Sequence, residues 1–291
     1  MARCRGMIFP MRIVFAILLA YLLAATVNAQ QPLDEIDIED IDTSYIYPVV
    51  LGTGSYKIDG RQLSMLTLPF SLTQQRIEEP DHDLGVKWYI PVTIGYDQIE
   101  DTDWLDNILD EELVTLSIMP GVQFTIPLND TWKIRPFGQV GIGHDFISDE
   151  TYVLGAIGVR GLGTWRFDNG WQLRWGASAR VAGEYQFDSE RNTSLGLLET
   201  GVDARKDLDV SIKGHPINMG IYYILQSFQP EWTLGRFLSD RSNVHEIHEL
   251  GLSVGLQNPR KILGVYVSRV RIGYKEGSGF RGVSFGTEFP F

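Results

Sequence analysis

Hydrophobic and polar residues alternate with a period of two along most of the chain from residue 46 onward. In the clearest run, polar residues such as Gln172, Arg174 and Ser178 separate an apolar set made of Trp171, Leu173, Trp175, Ala177, Ala179, Val181 and Tyr185. Successive side chains of a strand point to opposite sides, so the pattern predicts strands with one apolar and one polar face. Soluble strands typically have about five or six residues. These runs are longer and match the length that a tilted transmembrane strand needs.

Twelve segments show this pattern. They lie near 46–57, 61–74, 84–97, 112–127, 131–145, 151–167, 170–187, 193–206, 209–227, 244–257, 261–275 and 279–291. The sequence therefore predicts an all-β fold, a transmembrane antiparallel up-and-down β-barrel of about 12 strands and of the bacterial outer-membrane type. An even number of strands places both ends of the barrel chain on one side.

The connections between these segments alternate between short and long. Short ones with turn residues follow strands 4, 6, 8 and 10, at 129–130, 168–170, 206–208 and 258–260. The longest follow strands 3 and 9, at 98–111 and 228–243, and the connection at 75–83 is longer than this alternation predicts. Long loops are extracellular in bacterial barrels, so the short turns are predicted to be periplasmic.

The last nine residues form a period-two run that ends in two phenylalanines. One face carries every second residue from Val283 to Phe291, and we expect this face to meet lipid. The run resembles the C-terminal assembly signal of bacterial outer-membrane β-barrels, in which a polar residue and a glycine precede two alternate aromatics, here Ser284, Gly286, Phe289 and Phe291. The resemblance implies that barrel-assembly machinery binds this strand. An edge strand of a soluble sheet is the alternative for these residues taken alone.

Three tryptophans, Trp132, Trp165 and Trp171, adjoin the predicted short turns. We expect them at the same level as Phe289 and Phe291. Aromatic residues concentrate at membrane interfaces, so this set is predicted to form part of a periplasmic-side girdle.

Residues 1–29 have the parts of a secretory signal peptide. Arg3, Arg5 and Arg12 precede an apolar run, and a small-residue cleavage site ends at Ala29. The sequence therefore predicts signal-dependent export to the outer membrane of a Gram-negative bacterium. The only cysteine, Cys4, lies in the segment to be removed, so neither a disulfide nor a thiol metal site is expected.

Two oppositely charged sets of residues are predicted to meet inside the barrel. The acidic set lies in the N-terminal segment 30–45 and comprises Asp34, Glu35, Asp37, Glu39, Asp40 and Asp42. The basic set lies on the polar faces of the strands and comprises Lys133, Arg135, Arg160, Arg166, Arg174, Arg180, Arg205, Arg269 and Arg271. One hypothesis is that the acidic segment enters the lumen as a plug, because a twelve-stranded barrel has room for it. The alternative is that the basic residues pair with acids on neighbouring strands, and that the acidic segment is a solvated lead-in.

Motifs for cofactor or metal chemistry are weak. The formal net charge of −12 argues against nucleic acid as a partner. His245 and His248 are three residues apart, not the four of a helical zinc motif, and would face opposite sides of a strand. No legible arrangement of a nucleophile and a base is found either. The sequence therefore predicts no cofactor, no metal and no catalytic activity.

The twelve long strands and the C-terminal phenylalanine together resemble the translocator barrel of autotransporters. In that family the barrel follows a secreted passenger, and a linker helix occupies the lumen. Here only the segment 30–45 separates the signal peptide from the first strand, so we expect a solitary autotransporter-like barrel, 46–291, without a passenger. Its expected role is structural or in the envelope, in contact with outer-membrane lipids and lipopolysaccharide. The alternatives are a narrow anion-favouring pore, or an outer-membrane lipid hydrolase or lipid A modifier.

Overall fold

The computed structural model of the protein describes residues 50–58, 61–79, 82–98, 115–146, 149–187, 192–212, 215–229, 245–262, 265–287 and 289–291. The predicted signal peptide 1–29, the acidic segment 30–45 and most of the long connections 98–111 and 228–243 lie outside these residues. In the described part of the chain, no helix is long and apolar enough to cross a membrane.

Twelve antiparallel strands form in the described residues. They are β1 (Gly54–Ile58), β2 (Arg61–Glu79), β3 (His82–Gln98), β4 (Thr115–Ile118 and Gly121–Pro127), β5 (Trp132–Asp145), β6 (Glu150–Arg166), β7 (Trp171–Gln186), β8 (Asn192–Ile212), β9 (His215–Gln229), β10 (Glu246–Ile262), β11 (Val265–Gly277) and β12 (Phe280–Gly286). The two segments of β4 are separated by Met119 and Pro120, because proline has no N–H to donate to the ladder. Both segments keep one register against β5, so they form a single strand.

The strands close into a barrel. Each strand pairs with the next one along the chain, and β1 pairs with β12 to complete the ring. Gly54 lies opposite Ser284, and Ile58 lies opposite Phe280. The predicted all-β fold, an antiparallel up-and-down barrel of twelve strands, is confirmed.

The two faces of the wall differ sharply in polarity. Outward positions are apolar and exposed, as at Ile157 (69% exposed), Val140 (61%) and Leu250 (58%). The positions between them turn inward and carry charged or small residues, and Glu249 and Asp203 are each only 1% exposed. The period-two pattern therefore separates an apolar outer surface from a polar interior.

The hairpin of β2 and β3 is longer than predicted. β2 runs to Glu79 and β3 begins at His82, so the connection predicted at 75–83 is much shorter. With this correction, all connections that follow an even-numbered strand are short.

The turns predicted at 206–208 and 258–260 are wrong. β8 continues to Ile212 and β10 continues to Ile262, so both sets of turn residues lie within strands. The strand register shifts in both hairpins near these residues. Such a shift releases residues from the ladder, which is how a strand tolerates turn-forming residues and proline.

The first and last strands are shorter than predicted. The strand predicted at 46–57 begins only at Gly54, because Val50 and Leu51 are helical and Gly52 has a φ of 74°. Glycine adopts this conformation without steric strain, so it ends the helical segment here. At the other end, β12 stops at Gly286, although the neighbouring β11 extends further along the wall.

We predict that a disulfide can join β1 to β12. In a Cys4→Ser background, the substitutions Ser55→Cys and Val283→Cys place two thiols at directly opposed positions. The Cα atoms of opposed residues are about 4.5–5.5 Å apart, within the range of about 4.4–6.8 Å that disulfides need. Oxidation of the refolded protein should cross-link most molecules, measured as a reducible shift in gel mobility.

A matched control combines Ser55→Cys with Leu252→Cys on β10, which β11 and β12 separate from β1. This pair should not cross-link. Equal cross-linking of both pairs, or none at the opposed pair, would contradict a closed barrel.

Candidate functional site

The lumen contains most of the basic residues that the sequence singles out. Lys133 and Arg166 are exposed near the short turns, and Arg269 is buried. The other six are half-buried inside the barrel: Arg135, Arg160, Arg174, Arg180, Arg205 and Arg271. Arg180 and Arg271 bond to glutamates of a neighbouring strand, and Arg205 bonds to Asp203 of its own strand. Arg160 bonds to Gln123, while Arg135 and Arg180 bond to main-chain oxygens near the two ends of the barrel chain.

Glu249 on β10 is the centre of the largest polar network. Its Oε1 accepts hydrogen bonds from Arg271 (2.6 Å), Tyr222 (2.8 Å) and Ser284 (2.6 Å). The Nζ of Lys275 lies 3.6 Å from Oε2. One buried carboxylate thus joins β9, β10, β11 and β12. Ser284, predicted as part of an assembly signal, is one of its donors.

Glu199 on β8 forms a second network. Its Oε2 accepts from Ser178 at 2.8 Å, and its Oε1 accepts from Gln226 at 2.7 Å and from Arg180 at 3.4 Å. Lys275 donates to the Oε1 of Gln226 at 3.2 Å. Lys275 therefore connects the network of Glu199 with that of Glu249.

Further bonds hold Asp203 and Arg205 of β8 and Arg269 of β11. Asp203 accepts from Arg205 at 2.6 Å. Arg269 donates to Ser253 at 2.6 Å and also to Asn218. Among the described residues, neither arginine here pairs with an acid of a neighbouring strand, because Asp203 and Arg205 share β8 and the partners of Arg269 are neutral. The acidic residues Asp34 to Asp42 lie outside the described residues.

The chain that leads into β1 lies inside the barrel. Val50 and Leu51 are 4% and 5% exposed. Arg180 donates to the oxygen of Val50 at 3.0 Å, while Lys275 and the hydroxyl of Tyr56 each donate to the oxygen of Leu51 at 3.0 Å. Cations at the C-terminal end of a helical segment satisfy its free carbonyls and stabilise its dipole. The apolar side chains cluster with Met65, Ala182, Leu195, Leu197, Ile247 and Phe280.

The last residues also turn into the barrel. Phe289 and Phe291 are 4% and 2% exposed, and their ring centroids are 5.0 Å apart. Arg135 donates to the main-chain oxygen of Phe291 at 2.7 Å, and the guanidinium of Arg174 lies 5.8 Å from the ring centroid of Phe289. The two rings cluster with Leu162, Tyr222 and Ile224.

This placement corrects the prediction that Phe289 and Phe291 face lipid. Val283 and Phe285 do face outward, at 38% and 47% exposure, but β12 ends at Gly286 and the chain then leaves the wall. The period-two pattern continues to the last residue because the apolar side chains are still buried on one side of the chain. That side is an apolar pocket in the lumen.

Tryptophans cluster beside the short turns. The ring of Trp132 packs edge-on against Trp165 and against Trp175, with 5.5 Å between centroids in each pair. Trp171 is 44% exposed, and the Nζ of Lys206 lies 5.7 Å from its ring. Trp175 joins this cluster, and the girdle stays a prediction for the tryptophans, whereas Phe289 and Phe291, expected in the same set, are buried inside the barrel.

Two of the described histidines have polar partners. Nδ1 of His248 lies 2.7 Å from the hydroxyl of Tyr223, and Nδ1 of His144 lies 3.2 Å from Oγ1 of Thr151. Among the described residues, no group of three or more His, Cys, Asp or Glu is placed to hold a metal ion.

Several residues of the lumen bonds are not among those that the sequence singles out, including Lys275, Tyr222, Tyr56, Gln226, Asn218 and Ser253. Lys275 could have been found, because it continues the spacing of Arg269 and Arg271 on the same face of β11. Tyr222 lies in the run from Ile221 to Leu225, where residues of both faces are apolar or aromatic, so alternation gives no signal there.

An apolar outer face, a closed ring of twelve antiparallel strands and a charged lumen define an autotransporter-like β-barrel. Among solved structures, the chain is similar to the β domain of the Bordetella autotransporter BrkA, with a TM-score of 0.53 and 11% sequence identity over 80% of this chain and 93% of that chain. This likeness confirms the predicted fold resemblance. No family model and no curated protein matches the chain.

We predict that Glu249→Gln destabilises the barrel by about 3–5 kcal/mol, because it leaves buried cations without their carboxylate. Glutamine keeps the shape of the side chain and removes the charge that Arg271 and Lys275 share. The free energy of unfolding is measured by urea titration of the refolded protein. The control is Glu276→Gln, an exposed acid on the same hairpin, which should change stability by about 0.5 kcal/mol or less. An effect of Glu249→Gln no larger than that of the control would contradict the network.

Proposed function

We propose that this protein is an integral outer-membrane β-barrel of a Gram-negative bacterium, exported by its signal peptide, with a lumen closed by its own chain. Its role is structural or in the envelope, and its partners are outer-membrane lipids and lipopolysaccharide. The observation that carries the proposal is the use of lumen cations to hold both ends of the barrel chain. Arg180 and Lys275 bond to Val50 and Leu51, and Arg135 bonds to Phe291.

The outer surface supports a membrane location. A monomeric soluble protein rarely exposes a large contiguous apolar patch, whereas a barrel in lipid requires one. The wall also keeps its backbone groups bonded between strands, as hydrocarbon demands. The exposed apolar side chains recur around the wall: Val140, Ile142, Ile157, Leu250, Leu252, Val254, Val270 and Ile272.

We predict that Ile157→Arg destabilises the protein in lipid vesicles by about 2–4 kcal/mol, because arginine is costly at the middle of a lipid-facing wall. Ile157 lies near the middle of β6, opposite Gly138. The measurement is urea unfolding in vesicles, followed by tryptophan fluorescence.

The control for this prediction is Leu128→Arg, at a similarly exposed position next to a short turn (52% exposed). Near the interface the cost falls to about 0–1 kcal/mol. A soluble barrel would tolerate both substitutions equally, so equal effects would contradict the membrane proposal.

We predict no single-channel current in a planar bilayer from the chain starting at Gln30 or from a version starting at Thr43. The reason is that Val50, Leu51 and the last residues fill the lumen in both. Current from both versions would contradict the closed lumen. Current only from the shorter version would assign the closure to the acidic residues 34–42.

An anion-favouring pore is the second candidate, and one observation favours it. Arg135 and Arg160 are directly opposed on the inner face, where like charges repel. Arg160 donates to Gln123 at 2.9 Å and lies 4.2 Å from the ring centroid of Phe137. If current is observed, its anion selectivity should fall when Arg174 and Arg180 are replaced by glutamine.

A further inference from the structure

The last three residues form a separate feature, here called the C-terminal latch: Phe289, Pro290 and Phe291. β12 ends its pairing with β11 at Gly286, opposite Arg271. β11 continues beyond this pair to Val265, so the wall goes on where the last strand has left it. The latch is therefore a chain segment inside the barrel and not a part of the wall.

The opposite side of the barrel contains a pocket that fits the latch. Gly176 on β7 and Gly201 on β8 are directly opposed, and both face inward. A Cβ built at Gly176 would overlap the ring of Phe291, and one built at Gly201 would lie 3.1 Å from Cε2 of that ring. The two glycines form the floor of the pocket. Because they have no side chains, an aromatic ring fits above them, and a larger residue at either position would exclude that ring.

The latch crosses the lumen. In a ring of twelve strands, β6 lies opposite β12. Most of the groups that hold the latch belong to strands on that far side: Arg135 on β5, Leu162 on β6 and Arg174 on β7, together with the two glycines. Tyr222 and Ile224 on β9 complete the cluster. A segment that leaves one wall and binds the opposite wall obstructs the passage between them.

We propose that the C-terminal latch is an internal seal, bound in a preformed aromatic pocket between β5 and β9, that closes the lumen near the short turns. Phe291 fills the glycine floor, Phe289 packs beside it under Arg174, and Arg135 holds the main chain. The seal rests on the proposed closure of the lumen, whereas the position of the latch is tested by cross-linking, which does not depend on ion current.

A disulfide trap tests the position of the latch. In the Cys4→Ser background, Gly176→Cys and Phe291→Cys place two Cβ atoms closer together than a disulfide requires, so a small outward shift of the chain end brings them to bonding distance. Loss of the ring leaves room for the sulfurs. The refolded, oxidised protein should cross-link in most molecules. The control pairs Gly176→Cys with Phe285→Cys, which faces outward on β12 and should not cross-link.

Thiol labelling tests the seal. Leu162→Cys, in the Cys4→Ser background, sits beneath the latch at a position that is 3% exposed. Its labelling by a charged methanethiosulfonate should rise by at least about tenfold when Phe289→Ala and Phe291→Ala are added, since a covered thiol reacts only when the structure opens locally. Phe285→Ala, which removes an outward ring from the same strand, should leave the rate unchanged.

Folding of every variant is checked by its heat-dependent gel mobility, with protein refolded in detergent so that cellular assembly is not required. A further comparison leaves the latch intact. With both rings present, the thiol of Leu162→Cys should react far more slowly than the thiol of Leu128→Cys, which lies beside a turn. The inference is overturned if a folded barrel fails to cross-link Gly176→Cys with Phe291→Cys. It is also overturned if removing both rings does not change the labelling rate.

Discussion

A charge taken out of water needs compensation inside the protein, and the interior of this barrel depends on that constraint. Glu249 and Asp203 are each 1% exposed, so neither is solvated by bulk water. Each accepts hydrogen bonds from an arginine, and Glu249 is also close to Lys275. Since Lys275 also bonds to Gln226, which donates to Glu199, side chains from five consecutive strands, β7 to β11, form one connected network.

The short first and last strands follow from the same constraint. A carbonyl that leaves the strand ladder inside a barrel must find another donor. The oxygens of Val50 and Leu51 find Arg180, Lys275 and Tyr56, and the oxygen of Phe291 finds Arg135. Lumen cations thus replace strand pairing at both ends of the wall.

The period-two pattern was sufficient for the strand number, the outward faces and the inward position of residues such as Arg180 and Arg271. It failed at Val50 and at Phe289 to Phe291. Alternation shows only that one side of an extended chain contacts an apolar environment. Lipid outside the barrel and an apolar pocket inside it produce the same pattern. The pocket for Phe291 is created by Gly176 and Gly201, far away in sequence, and their opposition depends on strand register.

Two segments close the lumen, Val50–Leu51 and the C-terminal latch, and they differ in the free energy that their withdrawal would require. Val50 and Leu51 share their donors with Glu199 and Glu249, so withdrawing them would disturb the partners of buried carboxylates. The latch is held by apolar packing and by the bond from Arg135 to Phe291. Withdrawing the latch would expose two aromatic rings, but Glu199 and Glu249 would keep their hydrogen-bond donors. If one end of this barrel opens while the fold persists, the energetics therefore favour the end that carries Phe289 and Phe291.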